Sequence, residues 1–136
     1  MSETESDIVE SPDHEESSPP DPEQLARSQA ALAVVLKFGD PILRSPASPV
    51  EDFGQGLADE IERMKRVVLD APGSGLAANQ LGILRRLFVY RPDQLEEVRV
   101  VVNPEIEWSS EETEIGLEGC LSIPDVALEI ERPVSI

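Results

Sequence analysis

Histidine and cysteine, two of the commonest metal ligands, are almost missing from this chain. Its 136 residues include one histidine, His14, and one cysteine, Cys120. A single cysteine cannot form an intramolecular disulfide, which fits a reducing compartment. A tetrahedral metal site with three protein ligands needs three Cys, His, Asp or Glu side chains that converge on one point. Of the two scarce residues, only Cys120 lies in a motif suited to that task.

Basic residues are also scarce, with 11 lysines and arginines against 28 acidic residues and a formal net charge of −17. Residues 1–24 contain nine of the acidic residues, four of the 12 prolines and no lysine or arginine. Such a segment cannot bury enough apolar surface to offset its ordering entropy, so we predict a disordered acidic tail over residues 1–24. The remaining 112 residues keep a net charge of −8, which argues against a nucleic-acid surface built on phosphate contacts.

Long apolar runs are absent as well. No run approaches the roughly 20 residues that a transmembrane helix needs, and the N-terminus is acidic where a secretory or organellar leader is basic. We therefore expect no membrane partner and a cytoplasmic location.

Two helical patterns lie between the end of the acidic segment and the middle of the chain. Helix formers over residues 23–33 predict a short helix. A second, longer helix is predicted by apolar residues at intervals of four, three and four, namely Leu57, Ile61, Met64 and Val68. Asp52 is its predicted cap, and the Pro-Gly pair at 72–73 is its predicted end.

Strand patterns follow the longer helix. Runs rich in β-branched and aromatic residues predict strands over residues 86–90 and 98–102. The acidic patch 111–114 predicts a solvated turn. Apolar residues alternate with Ala or Glu over residues 126–131, which predicts a half-buried strand. The fold class is therefore α+β, with short antiparallel strands packed on a long helix.

A first candidate functional motif spans residues 73–80, which read Gly-Ser-Gly-Leu-Ala-Ala-Asn-Gln. Two glycines two positions apart let a ligand approach the main chain, so we expect a bound peptide to form strand-like hydrogen bonds with the backbone of Ser74 and Gly75. The small residues that follow fix the direction of Gln80, whose amide can donate a hydrogen bond to a developing oxyanion. The alternative is a helix-to-strand loop in which the glycines are needed only for the backbone conformation of the turn.

A second motif spans residues 118–122, which read Glu-Gly-Cys-Leu-Ser. A thiolate at Cys120 would be a strong, soft ligand for Zn²⁺ or Fe²⁺. The backbone N–H of Leu121 could complete an oxyanion hole with Gln80. The alternative is that Cys120 is a buried small hydrophobe.

These two motifs, in this order and 40 residues apart, resemble two of the three signature motifs of peptide deformylases. Residues 40–44, Asp-Pro-Ile-Leu-Arg, resemble a segment near the start of that domain. The resemblance covers residues 35–136 and implies a deformylase-like domain over residues 25–136. It further implies hydrolytic removal of the formyl group from the N-terminal formylmethionine of nascent peptides at the ribosome. Glu118 is expected to help shape the methionine side-chain pocket.

The third signature motif of that family, a helix carrying His-Glu-x-x-His, does not occur in this sequence. In the family this motif supplies two histidine ligands to one divalent metal, which is Fe²⁺, Zn²⁺, Ni²⁺ or Co²⁺. It also supplies the glutamate that transfers the proton. The chain ends at residues 133–136 within an apparent strand, and we expect it to be truncated before the metal-binding helix.

Two interpretations follow from the missing motif. In the first, the chain is the N-terminal portion of a deformylase, and by itself it is inactive and holds no metal. In the second, it is a non-catalytic, deformylase-like protein with a peptide-binding or regulatory role. The motif pair supports the first interpretation, and the second predicts a stable, soluble chain that holds a peptide without hydrolysing it.

Overall fold

Helix α2 and a three-stranded antiparallel sheet form the core of the structure, a computed structural model that describes residues 18–71, 73–92 and 97–136. The elements in chain order are α1 (Pro22–Val34), a 3₁₀ turn (Pro41–Arg44), α2 (Gln55–Asp70), β1 (Gly75–Ala77), a second 3₁₀ turn (Ala78–Leu81), β2 (Leu87–Tyr90), β3 (Arg99–Val102), β4 (Thr113–Cys120) and β5 (Ile123–Pro133). Two helices with antiparallel strands confirm the predicted α+β class.

Helix α1 confirms the short helix predicted near the start of the domain. It begins at Pro22 because Asp21 caps it, accepting a hydrogen bond from the backbone N–H of Glu23 at 3.2 Å. The helix therefore includes the last three residues of the segment predicted as an acidic tail. Residues 1–17 of that segment, with His14, lie outside the described part of the chain, so the tail stays a prediction.

Helix α2 packs its predicted apolar stripe against the sheet. Its buried residues are Leu57, Met64, Val67 and Val68. Met64 and Val68 have no exposed surface, whereas Ile61 is only partly buried at the edge of the core. The spacing of these residues repeats close to every 3.6 positions, which places them on one face of the helix.

The predicted cap of α2 is wrong by two residues. The N-cap is Gly54, and the Asp52 carboxylate accepts a hydrogen bond from the Gly54 N–H at 2.9 Å before the helix begins. Asp52 thus forms a local turn that leads into the helix. The helix ends at Asp70; the predicted stop residue Pro72 lies outside the described residues. Within the described ranges, no helix is long and apolar enough to cross a membrane.

The three-stranded sheet has the order β1-β2-β3, and both pairings are antiparallel. Leu76 of β1 pairs with Val89 of β2, and Leu87 of β2 pairs with Val102 of β3. Leu76, Leu87 and Val89 are buried with the residues of α2. The strands predicted over residues 86–90 and 98–102 are confirmed as β2 and β3.

Strands β4 and β5 form a separate antiparallel hairpin with a two-residue turn, Leu121 and Ser122. The backbone N–H of Phe38 donates to the Ser122 carbonyl at 2.9 Å and so ties this turn to the segment after α1. The register shifts next to the turn, where Cys120 pairs with Ile123 before the ladder resumes at Gly119 and Ala127. This bulge displaces residues 124–126 from the ladder.

Two expectations for this hairpin are corrected. Strand β4 begins at Thr113, so the solvated turn predicted over residues 111–114 is shorter than expected. The strand predicted around residues 126–131 exists as β5, but Val126 and Leu128 are 44% and 54% exposed, and only Ile130 is partly buried. The alternation therefore marks a strand without marking a buried face, because no layer of the described structure covers these side chains.

Candidate functional site

A cavity of about 580 Å³ opens where the end of α2, strand β1 and the turn of the β4–β5 hairpin meet. Its lining is formed by Leu32, Ala71, residues 73–75, Gln80, residues 119–121 and residues 123–127. Five of the six predicted site residues line it: Ser74, Gly75, Gln80, Cys120 and Leu121. The fold thus brings the two sequence motifs to one site.

The Gln80 side chain is held by contacts at both ends of its amide. Its Oε1 accepts a hydrogen bond from the backbone N–H of Ala77 at 2.9 Å. Its Nε2 lies 3.0 Å from Ser122 Oγ and 3.7 Å from Cys120 Sγ. Since a backbone N–H can only donate, it selects the amide oxygen and turns the nitrogen toward the hairpin. Gln80 therefore presents a donor beside the thiol.

The Cys120 thiol is exposed at the end of β4. The alternative of a buried small hydrophobe is therefore excluded by the structure. An exposed thiol on a cavity wall is accessible to a ligand or an ion. Its neighbour in the cavity is the polar Nε2 of Gln80, whose N–H can donate to a negative atom held near the sulfur.

The loop after α2 and the turn of the hairpin approach each other closely. A Cβ added at Gly73 would lie 2.8 Å from Leu121 Cδ1, so only glycine fits there without displacing that side chain. Leu121 is the first residue of the hairpin turn and lines the cavity. Its predicted role as a backbone donor is thus compatible with its position.

Strand β1 has one open edge on the cavity. The Arg91 N–H donates to the Ser74 carbonyl at 2.8 Å, and Gly75 stands opposite Tyr90 in the same ladder. Backbone groups of successive residues in an antiparallel strand point to opposite sides. The Gly75 N–H and C=O therefore face the open edge, whereas the Ser74 carbonyl is already bonded to Arg91, the residue after β2. Of the two residues predicted to bond a peptide, Gly75 is the one placed for it.

Glu118, the sixth predicted site residue, does not line this cavity. Its carboxylate forms a two-pronged ion pair with Arg132 of β5, with Nε–Oε2 and Nη2–Oε1 distances of 2.9 Å. Hydrogen bonds from the guanidinium are the main cause that lowers the pKa of Glu118 below its ordinary value; burial opposes this shift, and the positive charge of Arg132 adds a further lowering. The same pair raises the pKa of Arg132.

The described residues do not complete a metal site. Within them, no group of three or more His, Cys, Asp and Glu side chains is placed to hold a metal ion. Cys120 offers one sulfur donor, and the cavity lining otherwise includes the Gln80 amide, Ser74, the single carboxylate residue Asp125, backbone groups and apolar side chains. A three-ligand metal centre therefore does not fit the residues described here.

Sequence reasoning assigned no role to Ser122, although this residue ends the second motif. Ser122 is the only polar residue buried in the described part of the chain, with 6% of its surface exposed. Its position at the end of the second motif was the sequence feature that could have indicated a role in the site. Asp125 also lines the cavity, and its backbone has a φ of 64°. It lies in the bulge and outside both sequence motifs, so no sequence pattern indicated that it belongs to the site.

The chain is similar to known proteins across this site. A model of the polypeptide deformylase family matches residues 32–136. Peptide deformylase 1 of Corynebacterium efficiens is 52% identical over 97 residues, which cover 70% of this chain and 57% of that protein. Peptide deformylase of Thermotoga neapolitana is 50% identical over 98 residues, covering 72% of this chain and 58% of that protein.

A solved structure supports the same relationship. The crystal structure of peptide deformylase from Thermotoga maritima superposes with a TM-score of 0.69 at 44% sequence identity, covering 73% of this chain and 66% of that chain. The chain spans somewhat more than half the length of the curated relatives it matches.

Proposed function

The chain belongs to the polypeptide deformylase family, and on this premise we propose that it acts in the hydrolytic removal of the formyl group from the N-terminal formylmethionine of newly made proteins. Its described residues form the part of the site that binds the peptide and stabilises negative charge. Its partners are then nascent formylmethionyl peptides, which it binds at the ribosome in the cytoplasm.

The observation that carries this proposal is the placement of the Gln80 amide nitrogen 3.7 Å from Cys120 Sγ at the end of an open strand edge. A formyl carbonyl near the sulfur would find an N–H donor for the oxyanion that develops when water attacks it. The N–H of Leu121, the residue after Cys120 and also part of the cavity lining, would be a second donor. Both donors are fixed before the substrate arrives, so no reorganisation accompanies the reaction.

Strand β1 would hold the substrate. An extended peptide can add to the free edge at Gly75 through main-chain hydrogen bonds. Such hydrogen bonds involve the substrate backbone and not its side chains. This mode of binding suits an enzyme that acts on nascent chains of many different sequences. The apolar part of the cavity wall, including Leu32, Ile123 and Val126, would accommodate a methionine side chain.

The family relationship suggests one divalent metal, and we infer from the resemblance that it is Fe²⁺ or else Zn²⁺, Ni²⁺ or Co²⁺. Among these residues, Cys120 is the candidate ligand. Because the described residues lack the other donors, no catalytic step is assigned to the metal here.

That shortage of donors favours a second candidate function, a protein that binds formylated peptides without cleaving them. Both candidates use the same groove and the same donors. They differ in one product, formate, so a single experiment separates them.

The experiment mixes the 136-residue chain with formyl-Met-Ala-Ser and, as a matched control, with unformylated Met-Ala-Ser. Amide NMR shifts of Gly75 and of the Gln80 side chain measure binding, and formate dehydrogenase measures release with and without added Fe²⁺ or Co²⁺. Because the first interpretation expects the 136-residue chain alone to be inactive, release is also measured with the full-length, metal-loaded protein. Formate release by either supports the deformylase, and binding without release by both supports the second candidate. If neither peptide moves those signals and no formate forms, both are rejected.

A further inference from the structure

We propose that Ser122 is a positioning residue for Gln80. Its buried hydroxyl takes up one N–H of the Gln80 amide and thereby directs the other N–H into the cavity beside Cys120. This role rests on the proposed function, in which Gln80 is the donor to the oxyanion. The relevant contact is the hydrogen bond of 3.0 Å from Gln80 Nε2 to Ser122 Oγ.

The first support is the rigidity of Ser122. It is 6% exposed, and it occupies the second position of a two-residue turn between paired strands. Its carbonyl accepts a hydrogen bond from the Phe38 N–H at 2.9 Å. The turn is thus held by the hairpin on one side and by the segment after α1 on the other, so the hydroxyl is a fixed reference point for the amide.

The second support is the conformational freedom of a glutamine. The last side-chain torsion of Gln joins an sp³ carbon to an sp² carbon and has a broad, shallow profile. The bond from the Ala77 N–H to Oε1 restrains this torsion from one end of the amide. The bond from Nε2 to Ser122 Oγ restrains it from the other end. Two contacts on opposite ends of the amide therefore define its plane.

The third support is the geometry of the nitrogen. A primary amide nitrogen carries two hydrogens in the amide plane, in different directions. With one hydrogen directed at Ser122 Oγ, the other has a fixed direction, and Cys120 Sγ is the second polar atom near Nε2, at 3.7 Å. The Ser122 hydroxyl thus determines the direction of the second N–H, which donates to Cys120 Sγ, without touching the substrate.

The test compares Ser122→Ala with Ser122→Thr, which keeps the hydroxyl, in the ¹⁵N-labelled chain. We expect an NOE from one Gln80 side-chain amide proton to Cys120 Hβ in the wild type, its loss in Ser122→Ala and its return in Ser122→Thr. The matched control is Ser45→Ala, which removes a hydroxyl bonded to the Pro41 carbonyl at 3.0 Å, outside the cavity lining. The control should leave the NOE unchanged.

An unchanged NOE in Ser122→Ala overturns the proposal. If that variant fails to fold, the wild-type chain still decides, because the two Gln80 amide protons must show separate NOEs, one to Ser122 Hβ and one to Cys120 Hβ. Absence of either NOE is also contrary to the proposal.

The NMR readout does not depend on catalysis, so it separates this proposal from the function it rests on. Where formate release is measurable, Ser122→Ala should lower kcat about tenfold with little change in KM, since a misdirected oxyanion donor affects the transition state more than peptide binding. The predicted NOE pattern, together with no formate release from the full-length, metal-loaded protein, rejects only the deformylase function. Formate release with an NOE that is insensitive to Ser122→Ala rejects only the positioning role.

Discussion

The side chain of Asn103 forms two hydrogen bonds with the backbone of Val50, 53 residues earlier in the chain. Its Oδ1 accepts from the Val50 N–H at 2.7 Å, and its Nδ2 donates to the Val50 carbonyl at 3.0 Å. Asn103 follows β3 and has φ of 51°, a left-handed conformation that asparagine tolerates better than most residues. One side chain thus joins the segment before α2 to the end of the sheet.

This relationship predicts the order of stability of two variants. Asn103→Gly should lower the free energy of unfolding by about 1–3 kcal/mol, because the backbone groups of the buried Val50 lose their partners. Asn103→Ala should lose roughly a further 1 kcal/mol, since alanine is strained at positive φ. Urea unfolding measures both values. Wild-type stability in the glycine variant would contradict the assigned role of the two hydrogen bonds.

The core beneath α2 predicts a large effect at Met64, which has no exposed surface. Met64→Ala should reduce the free energy of unfolding by about 2–5 kcal/mol, because it leaves a cavity in the core. The exposed neighbour Arg63 on the same helix is the control, and Arg63→Ala should change stability by less than about 0.5 kcal/mol. Similar losses in both variants, measured by urea unfolding, would show that α2 does not face the core as described.

Two glycine-to-alanine changes should have opposite effects. A Cβ at Gly75 would lie 3.2 Å from the Val89 carbonyl oxygen, a backbone atom, whereas a Cβ at Gly56 of α2 meets nothing within 4 Å. Gly75→Ala should cost about 1–3 kcal/mol by forcing β1 from β2, and it should weaken peptide binding at the strand edge. Gly56→Ala should add up to about 1 kcal/mol of stability through helix propensity. Unfolding and peptide titration of both variants provide the measurement, and equal binding by both would argue against a peptide at β1.

The ion pair between Glu118 and Arg132 predicts a pH dependence. Because the pKa of Glu118 is lowered from its ordinary 4.5, the stabilisation is complete above pH 4.5 and is lost as the pH falls through the folded-state pKa. In Arg132→Gln, the pKa of Glu118 should return toward 4.5, as followed by carboxyl ¹³C NMR. The exposed Arg66→Gln on α2 is the control. An unshifted Glu118 titration in Arg132→Gln would show that the guanidinium is not the cause.

Local patterns predicted the elements well where their cause is local. The stripe of α2 lies within one helix, and β2 and β3 each consist of one short run, so periodicity and composition were sufficient. Asp52 shows the limit: its residue type indicated a helix start, but whether it bonds as the cap or in the turn before it depends on the backbone path through Gly54.

Burial was harder to predict than secondary structure. Val126 and Leu128 alternate with other residues as a half-buried strand would, yet both are exposed. Alternation distinguishes the two faces of a strand, whereas burial needs a second layer above one face. The ion pair of Glu118 was also not predicted, because its partner Arg132 lies on β5 and only the hairpin register brings the two side chains together.

Local sequence patterns determined the α+β class, both helices, strands β2, β3 and part of β5, the family, and five of the fourteen residues that line the cavity. Each of these is recorded in local periodicity or in a short motif. The tertiary structure decided which groups meet: Gln80 with Cys120 across 40 residues, Gly75 at an open strand edge, Ser122 buried beside the amide and Glu118 turned to Arg132. These contacts arise from chain packing and strand register, which couple distant residues through hydrogen bonds and buried area that no local pattern contains.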